Sequence, residues 1–135
     1  MGKILRVNLS KGKITEEALD EDVARKFIGG KGLSAKILFD ELKPGIDPLG
    51  PENKLVVAAG PVGAIPFSGN SRFSVCAKSP LGVGWGESYS GGYMAPKINN
   101  LALTLSSSKG PQRRLCGFTL TTVTPSSGTP RNIGA

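Results

Sequence analysis

The stretch Gly60–Lys97 reads GPVGAIPFSGNSRFSVCAKSPLGVGWGESYSGGYMAPK, and it places eight glycines around two cations, Arg72 and Lys78. Serines lie on either side of these cations, within 68–71 and 88–90. Glycine lets a backbone approach a ligand closely, and backbone N–H groups, hydroxyls and cations bind phosphates and similar oxyanions. The same composition is typical of tight turns between short strands. The stretch therefore predicts either an anion site or a series of turns, and both interpretations stay open.

The residues before this stretch predict a hairpin and a helix. Lys3–Asn8 alternates as a half-buried strand, and Lys13–Glu17 returns as a second strand after a tight turn. Asp20 is a favourable N-cap because its carboxylate can accept hydrogen bonds from the first N–H groups of a helix. The apolar face of that helix consists of Val23, Phe27 and Ile28. We expect Gly29-Gly30 to end it.

The segment Gly29–Gly32, GGKG, precedes a second predicted helix from about Leu33 to Leu42. It fits a small anion-binding turn at a helix start, and it fits equally a helix C-cap followed by a linker. Beyond three prolines the pattern of apolar residues predicts further strands. These strands are Lys54–Ala59, Ser71–Ala77 and Val83–Glu87, and a helix is expected to begin after Ser90.

Length and composition exclude several classes of protein. A chain of 135 residues is one domain or part of one. It has no signal peptide and no apolar run near the roughly 20 residues that cross a bilayer, so we expect a cytoplasmic protein with no membrane partner. It has two cysteines, Cys76 and Cys116, and no histidine, which excludes a zinc site, an iron–sulfur cluster and histidine-activated nucleophiles. Cys76 is interpreted as a small core residue.

The last 35 residues differ from the rest. Residues 1–100 contain 13 Lys and Arg against 10 acids, whereas residues 101–135 contain four basic residues, no acid and 11 Ser and Thr. No consistent period runs through this tail, so its composition predicts a disordered, low-complexity segment after a domain of residues 1–100. The net charge of +7 raises the possibility of nucleic-acid binding. The chain lacks a basic stripe with interleaved aromatics, so no nucleic-acid partner is expected.

Five segments, in order, resemble the N-terminal domain of the tungsten-containing aldehyde:ferredoxin oxidoreductase family. They are ILRVNLSKGKI, FIGGKGLSAKILFDEL, DPLGPENKLVVAAGP, SRFSVCAKSPLG and SGGYMAPK, and they cover about residues 3–100. The resemblance implies an α+β fold, in which a cradle of two β-sheets lies under a bis-pterin tungsten cofactor. Because this chain lacks the family's later strands, the cradle is expected to be incomplete.

The resemblance also implies a cofactor site. Arg72 would contact the pterin–phosphate part, which suits a cation facing a dianion. The turn assigned to the pterin consists of Tyr89, Ser90, Gly91 and Gly92. The backbone carbonyl of Tyr89 would bind the magnesium ion that links the two pterin phosphates. The family often has asparagine at this position, so a side-chain contact would be lost while the carbonyl remains. Lys78 is a weaker candidate.

The activity that the resemblance implies belongs to a longer protein. Family members oxidise small aldehydes to carboxylates and pass electrons through a 4Fe–4S cluster to ferredoxin, and a homo-oligomer is possible. This chain has no ligands for that cluster, so we expect it to be inactive alone. Two alternatives stay open: a small stand-alone phosphate- or nucleotide-binding module without catalysis, and a basic nucleic-acid-binding protein.

A shift of the reading frame would explain the unusual composition of the tail. The family continues with a strand of the type GFDAIIIEG, and codons allowed for residues 101–110 can encode GFDALIIEG when the frame is shifted by two nucleotides. In the same frame, residues 111–118 can give AEKAVRLY and residues 126–135 can give LRDAKEYWG. We hypothesise that a frameshift or a sequencing error put the chain out of frame from about Asn100. Without the cradle's last strands, the chain is expected to fold poorly alone.

Overall fold

A computed structural model of the protein describes residues 2–9, 11–63, 65, 67–82 and 84–98, and the backbone of 101–106. Its elements, in chain order, are β1 (Lys3–Asn8), β2 (Lys13–Ala18), α1 (Glu21–Phe27), α2 (Gly30–Glu41), β3 (Lys54–Ala59), β4 (Phe73–Lys78), β5 (Trp85–Ser90), α3 (Met94–Lys97) and β6 (Leu101–Ser106). The α+β class is confirmed. No helix in the described part of the chain is long and apolar enough to cross a membrane.

The described strands form one six-stranded sheet in the order β2-β1-β6-β3-β4-β5, rather than the two sheets that the resemblance implied, because β6 joins the hairpin to the other three strands. The predicted hairpin is present, since β1 and β2 pair antiparallel from Lys3 opposite Ala18 to Asn8 opposite Lys13. Strand β6 pairs parallel with β1 and antiparallel with β3. Strands β3, β4 and β5 follow as an antiparallel meander. The edges of the sheet are therefore β2 and β5.

Strand β6 corrects the prediction that no regular structure follows residue 100. It connects the β1–β2 hairpin to the β3–β4–β5 meander, so the sheet's pairing runs past the predicted domain boundary to Ser106. The signal was the short alternation LALTLS, which the Ser- and Thr-rich composition of the whole tail concealed. The rest of the tail, including Cys116, lies outside the described residues.

Each face of the sheet carries its own buried cluster, because side chains alternate along each strand. On one face, helix α2 packs on β3 and β4 and buries Ile4, Leu33, Ile37, Leu38, Val56, Ala58 and Cys76. The opposite face, against α3, buries Val7, Val57, Ala59, Ala95 and Ile98. Burial of each large aliphatic side chain contributes about 1.5–3 kcal/mol. The prediction that Cys76 is a core residue is confirmed.

Helix α1 begins as predicted and ends differently. The Asp20 carboxylate accepts hydrogen bonds from the N–H groups of Asp22 and Val23, at 2.7 and 3.2 Å. The helix stops at Ile28, which takes a φ of 63° and leaves its side chain 69% exposed, so its assignment to the apolar face was wrong. Gly29 does not end α1 but is the N-cap of α2.

The reason for glycine at 29 is close packing. A Cβ atom added there would lie 2.8 Å from the carbonyl oxygen of Ala59 at the end of β3, closer than real Cβ contacts come. The start of α2 therefore presses directly on the sheet's backbone. The interpretation of GGKG as a C-cap plus a linker is wrong, because these residues begin the second helix.

A charge cluster of Arg6, Glu17, Glu41 and Lys54, which we call the Glu41 cluster, ties strands β1, β2 and β3 to α2. The guanidinium of Arg6 contacts both oxygens of Glu41, at 2.7 and 3.0 Å, and donates to Glu17 at 2.6 Å. Lys54 also donates to Glu41. Burial alone favours the protonated carboxyl of Glu41, but the hydrogen bonds from Arg6 and Lys54 outweigh it and lower the pKa of Glu41. The hydrogen bond with Glu41 likewise raises the pKa of Arg6.

Candidate functional site

The pairing of β4 with β5 brings the predicted cofactor residues to one corner of the sheet. Phe73 lies opposite Ser90 and Ser74 opposite Tyr89, so Arg72, just before β4, lies beside the chain that leaves β5. We call Ser71, Arg72 and Tyr89–Gly92 the β5 corner. Strand β5 runs farther than the predicted 83–87 and includes Tyr89 and Ser90, so these two residues belong to an edge strand rather than to a turn.

Short contacts hold the two sides of the β5 corner together. The Ser71 hydroxyl donates to the carbonyl oxygen of Gly92. A Cβ atom at Gly91 would lie 3.3 Å from the carbonyl oxygen of Ser71, and Gly92 has a φ of 91°, which favours glycine. These glycines therefore allow a close approach of two backbone segments, and they leave backbone groups accessible beside Arg72.

The two cations of the central stretch have different surroundings. Arg72 is exposed, and no carboxylate among the described residues forms an ion pair with it. Lys78, by contrast, donates through Nζ to the carbonyl oxygen of Ile46 at 2.5 Å, and its backbone exchanges hydrogen bonds with the Asn53 side chain. Lys78 thus holds the proline-rich link to β4, whereas Arg72 is available to an oxyanion.

The loop before Arg72 is shaped by a residue that the sequence analysis missed. The side-chain amide of Asn70 donates to the carbonyl oxygens of Val62 and Ile65, at 2.8 and 2.6 Å. The carbonyl oxygen of Asn70 accepts the N–H of Arg72 at 2.8 Å. Asn70 thereby closes the loop and sets the approach to β4. The local signal was an asparagine between Gly69 and Ser71, a composition that favours side chain–backbone turns.

A third cation reaches the corner from helix α2. The Lys31 ammonium lies 3.8 Å from Oε1 of Glu87 and 5.8 Å from the centre of the Tyr89 ring. The indole N–H of Trp85 donates to the other oxygen of Glu87 at 2.8 Å. We call Lys31, Trp85, Glu87 and Tyr89 the Lys31 cluster. The GGKG motif is visible in the sequence, but only the docking of α2 on the sheet brings its lysine beside Tyr89.

The Lys31 cluster keeps both of its charged groups ionised. Tyr89 and Glu87 raise the pKa of Lys31. The hydrogen bond from Trp85, together with Tyr89 and Lys31, lowers the pKa of Glu87. A lysine and a glutamate shifted in these directions remain a cation and an anion over a wide range around neutral pH.

The chemistry of the β5 corner suits a phosphate group more than a directly bound metal. Within the described parts of the chain, no group of three or more His, Cys, Asp or Glu residues is placed to hold a metal ion. The thiol of Cys76 is 1% exposed, and burial raises its pKa, so it is no thiolate ligand. The corner instead presents the exposed guanidinium of Arg72, hydroxyl groups and backbone groups at glycines. These residues fit the phosphate side of a pterin cofactor.

Comparison with known proteins gives consistent matches. The family model of the aldehyde ferredoxin oxidoreductase N-terminal domain matches residues 4–113 of the sequence. The chain is 42% identical over 97 residues to the tungsten-containing aldehyde ferredoxin oxidoreductase of Pyrococcus furiosus, covering 72% of this chain but 16% of that protein. It is 43% identical over 82 residues to the WOR-like subunit of an aliphatic sulfonate oxidoreductase of the same organism, covering 58% of this chain and 13% of that protein.

A solved structure shows the same fold. The active-site complex BamBC of benzoyl-coenzyme A reductase, determined with 1,5-dienoyl-CoA, contains a chain that superposes with a TM-score of 0.75 at 33% identity. The superposition covers 84% of this chain and 18% of that one. The chain therefore spans less than a fifth of the length of the proteins that it resembles here.

Proposed function

Because this chain belongs to the family of aldehyde ferredoxin oxidoreductase N-terminal domains, we propose that it forms part of the pterin cofactor site of a tungsten-dependent oxidoreductase. The observation that carries the proposal is the β5 corner, where Arg72, which forms no ion pair with any described residue, precedes the strand that pairs with β5, beside the Gly91-Gly92 turn. A guanidinium next to accessible backbone groups is a suitable receptor for a phosphate dianion.

Each residue of the corner has a defined task in this proposal. Arg72 binds a pterin phosphate and neutralises part of its charge. The backbone carbonyl of Tyr89 is a ligand of magnesium, so the change from asparagine to tyrosine preserves this contact. Ser90, Gly91 and Gly92 provide the close-fitting surface against the pterin. The metal and its pterins supply the oxidation–reduction chemistry when bound.

The variety of substrates in the names of the relatives supports a role in binding a shared cofactor rather than in selecting a substrate. Proteins named for an aldehyde, an aliphatic sulfonate and benzoyl-coenzyme A all contain a region similar to this chain. A domain common to such different substrates is expected to hold what those enzymes share. We therefore propose that aldehyde selection, the 4Fe–4S cluster and the contact with ferredoxin belong to other parts of the protein, and that this chain alone oxidises no aldehyde.

We also propose that residues after about Asn100 are read out of frame. Strand β6 occupies the centre of the sheet, between β1 and β3. Central strands covered on both faces are usually continuous apolar runs. The alternative-frame sequence GFDALIIEG fits that position better than LALTLSSSK, which is rich in hydroxyl side chains. The alternative frame therefore supplies a more suitable strand at the same place.

The first test is the nucleotide sequence from the codon of Gly92 onward. We expect a single shift to restore codons for GFDALIIEG and to open a longer coding region with cysteines for a cluster. The restored protein, produced with tungstate, should contain tungsten by elemental analysis and release an oxidised, fluorescent pterin. If no shifted frame encodes such a strand, the frame proposal is wrong.

The cofactor role is tested separately with two arginine variants of the restored protein. Arg72→Leu removes the unpaired cation of the β5 corner and should lower the tungsten and pterin content about tenfold or more, since a charge-assisted contact is lost. Arg25→Leu is the matched control, because Arg25 is exposed on α1 and pairs with Glu21 at 2.7 Å. Equal tungsten content in both folded variants would rule out the role of Arg72.

A further inference from the structure

We propose that Lys31 is a positioning residue, which clamps the edge strand β5 against helix α2 and thereby sets the geometry of Tyr89–Gly92. One ammonium group contacts two residues, Glu87 and Tyr89, that point to the same face of β5. The importance of this clamp for a cofactor rests on the function proposed above. The contacts that form the clamp lie within the chain itself and need no bound ligand.

The helix side of the clamp is a rigid support. Gly29 fits against the backbone of Ala59 so closely that a Cβ atom has no room. One turn into α2, Leu33 and Ser34 are buried, and the Ser34 hydroxyl donates to the carbonyl oxygen of Gly30 at 3.0 Å. The backbone that carries Lys31 is therefore fixed to the centre of the sheet. Gly29 permits this docking on the sheet, and the Lys31 ammonium reaches Glu87 on β5.

The strand side of the clamp needs such a support. Among the described strands, β5 pairs with β4 alone, and five of its six residues are exposed. Glu87 is its one charged residue, and that carboxylate is shared between Lys31 and the indole of Trp85. An edge strand with few buried side chains opens locally more readily than the central strands. Contacts from the rigid helix to the middle of β5 therefore restrain the end of the strand, from which the Gly91-Gly92 turn departs.

Helix α2 also contains a matched control for this clamp. Lys36 forms an ion pair with Asp40 at 2.5 Å and lies 5.9 Å from the centre of the Phe27 ring. It therefore makes the same two types of contact as Lys31, but its partners lie on helices α1 and α2. Loss of Lys36 should leave β5 unaffected. A specific effect of Lys31 can thus be separated from the general loss of a lysine on this helix.

Hydrogen exchange followed by mass spectrometry on the 135-residue chain, without cofactor, tests the clamp. In Lys31→Met we expect the amides of 87–92 to exchange about threefold to tenfold faster than in the wild type, while the central strands are unchanged. Lys31→Arg should restore slow exchange, since arginine keeps both the ion pair and the contact with the ring. Lys36→Met should leave 87–92 as in the wild type.

Fluorescence of Trp85, the single tryptophan of the chain, gives an independent readout. Quenching by neutral acrylamide should be stronger in Lys31→Met than in Lys36→Met, because a released β5 exposes the indole more. The proposal is overturned by unchanged exchange at 87–92, by acceleration spread evenly over the whole sheet, or by global unfolding of Lys31→Met. None of these readouts needs a cofactor, so their outcome is independent of the tungsten content of Arg72→Leu.

Discussion

The Glu41 cluster and the β5 edge use charge in opposite ways. Arg6 on β1, Glu41 on α2 and Lys54 on β3 are partly buried and satisfy one another, so they connect the hairpin, helix α2 and strand β3. At the β5 edge, the contacts of Lys31 are exposed and Arg72 has no carboxylate partner among the described residues. The comparison indicates that the Glu41 cluster contributes to stability, whereas the β5 edge leaves charge and backbone groups exposed.

Strand β6 decides whether these two regions belong to one structure. Without it the sheet would separate into the β1–β2 hairpin and the β3–β4–β5 meander. The expectation that the chain folds poorly alone depended on missing strands, and β6 supplies the one at the centre. We therefore expect the 135-residue chain to fold as long as this strand can form.

The largest effect should come from ending the chain after Asn100. Loss of β6 leaves the facing edges of β1 and β3 unpaired, so we expect no cooperative thermal transition by circular dichroism. A chain ending at residue 113, the limit of the family match, is the control and should melt in one transition. A chain with the alternative-frame residues after Asn100 should be more stable than either. A cooperative melt of the shortest chain would show that β6 is dispensable.

A smaller loss is expected where α2 meets the sheet near the β5 corner. In Gly29→Ala the added methyl group meets the carbonyl oxygen of Ala59, so the helix start must shift, at a cost of about 2 kcal/mol. Gly60→Ala is the control, because a Cβ atom there meets nothing within 4 Å. Urea unfolding measures both. Equal stability of the two variants would show that α2 is not fixed as tightly as its contacts indicate.

The smallest of these effects lies in the Glu41 cluster and depends on pH. The pKa of Glu41 is lowered from its ordinary value of 4.5, so its contribution is present above about pH 4.5 and is lost as the pH falls through the lowered value. Glu41→Gln should cost about 1 kcal/mol at pH 7, and the difference from the wild type should shrink below pH 4. The exposed pair Lys3–Glu16 supplies the control variant, Glu16→Gln, with an effect below about 0.5 kcal/mol. A difference between Glu41→Gln and the wild type that does not change with pH would contradict this account.

Local sequence signals predicted much of the fold, and their limits have a physical cause. The hairpin, the Asp20 cap and the buried strand β3 all follow from neighbouring residues, whose alternation or capping chemistry is complete within a few positions. The end of α1 was predicted at Gly29-Gly30 because glycine is common at helix C-termini. Glycine is needed at position 29 for another reason: a side chain there would collide with the carbonyl oxygen of Ala59, which is far away in the sequence. Strand β6 was missed because its six alternating residues lie within a longer segment of different composition.

The candidate site shows the same contrast between local sequence signals and contacts made by distant residues. By itself the sequence predicted Arg72 as a cation for an oxyanion from its residue type, and the Tyr89–Gly92 segment as a cofactor site from its resemblance to the family. Only the tertiary structure decided that Lys78 serves the proline-rich link and that Lys31 lies beside Tyr89. Those contacts join residues far apart in the chain, and they form only when α2 docks on the sheet and β4 pairs with β5. Residue chemistry is local, whereas the choice of partner for a charge depends on how the elements pack.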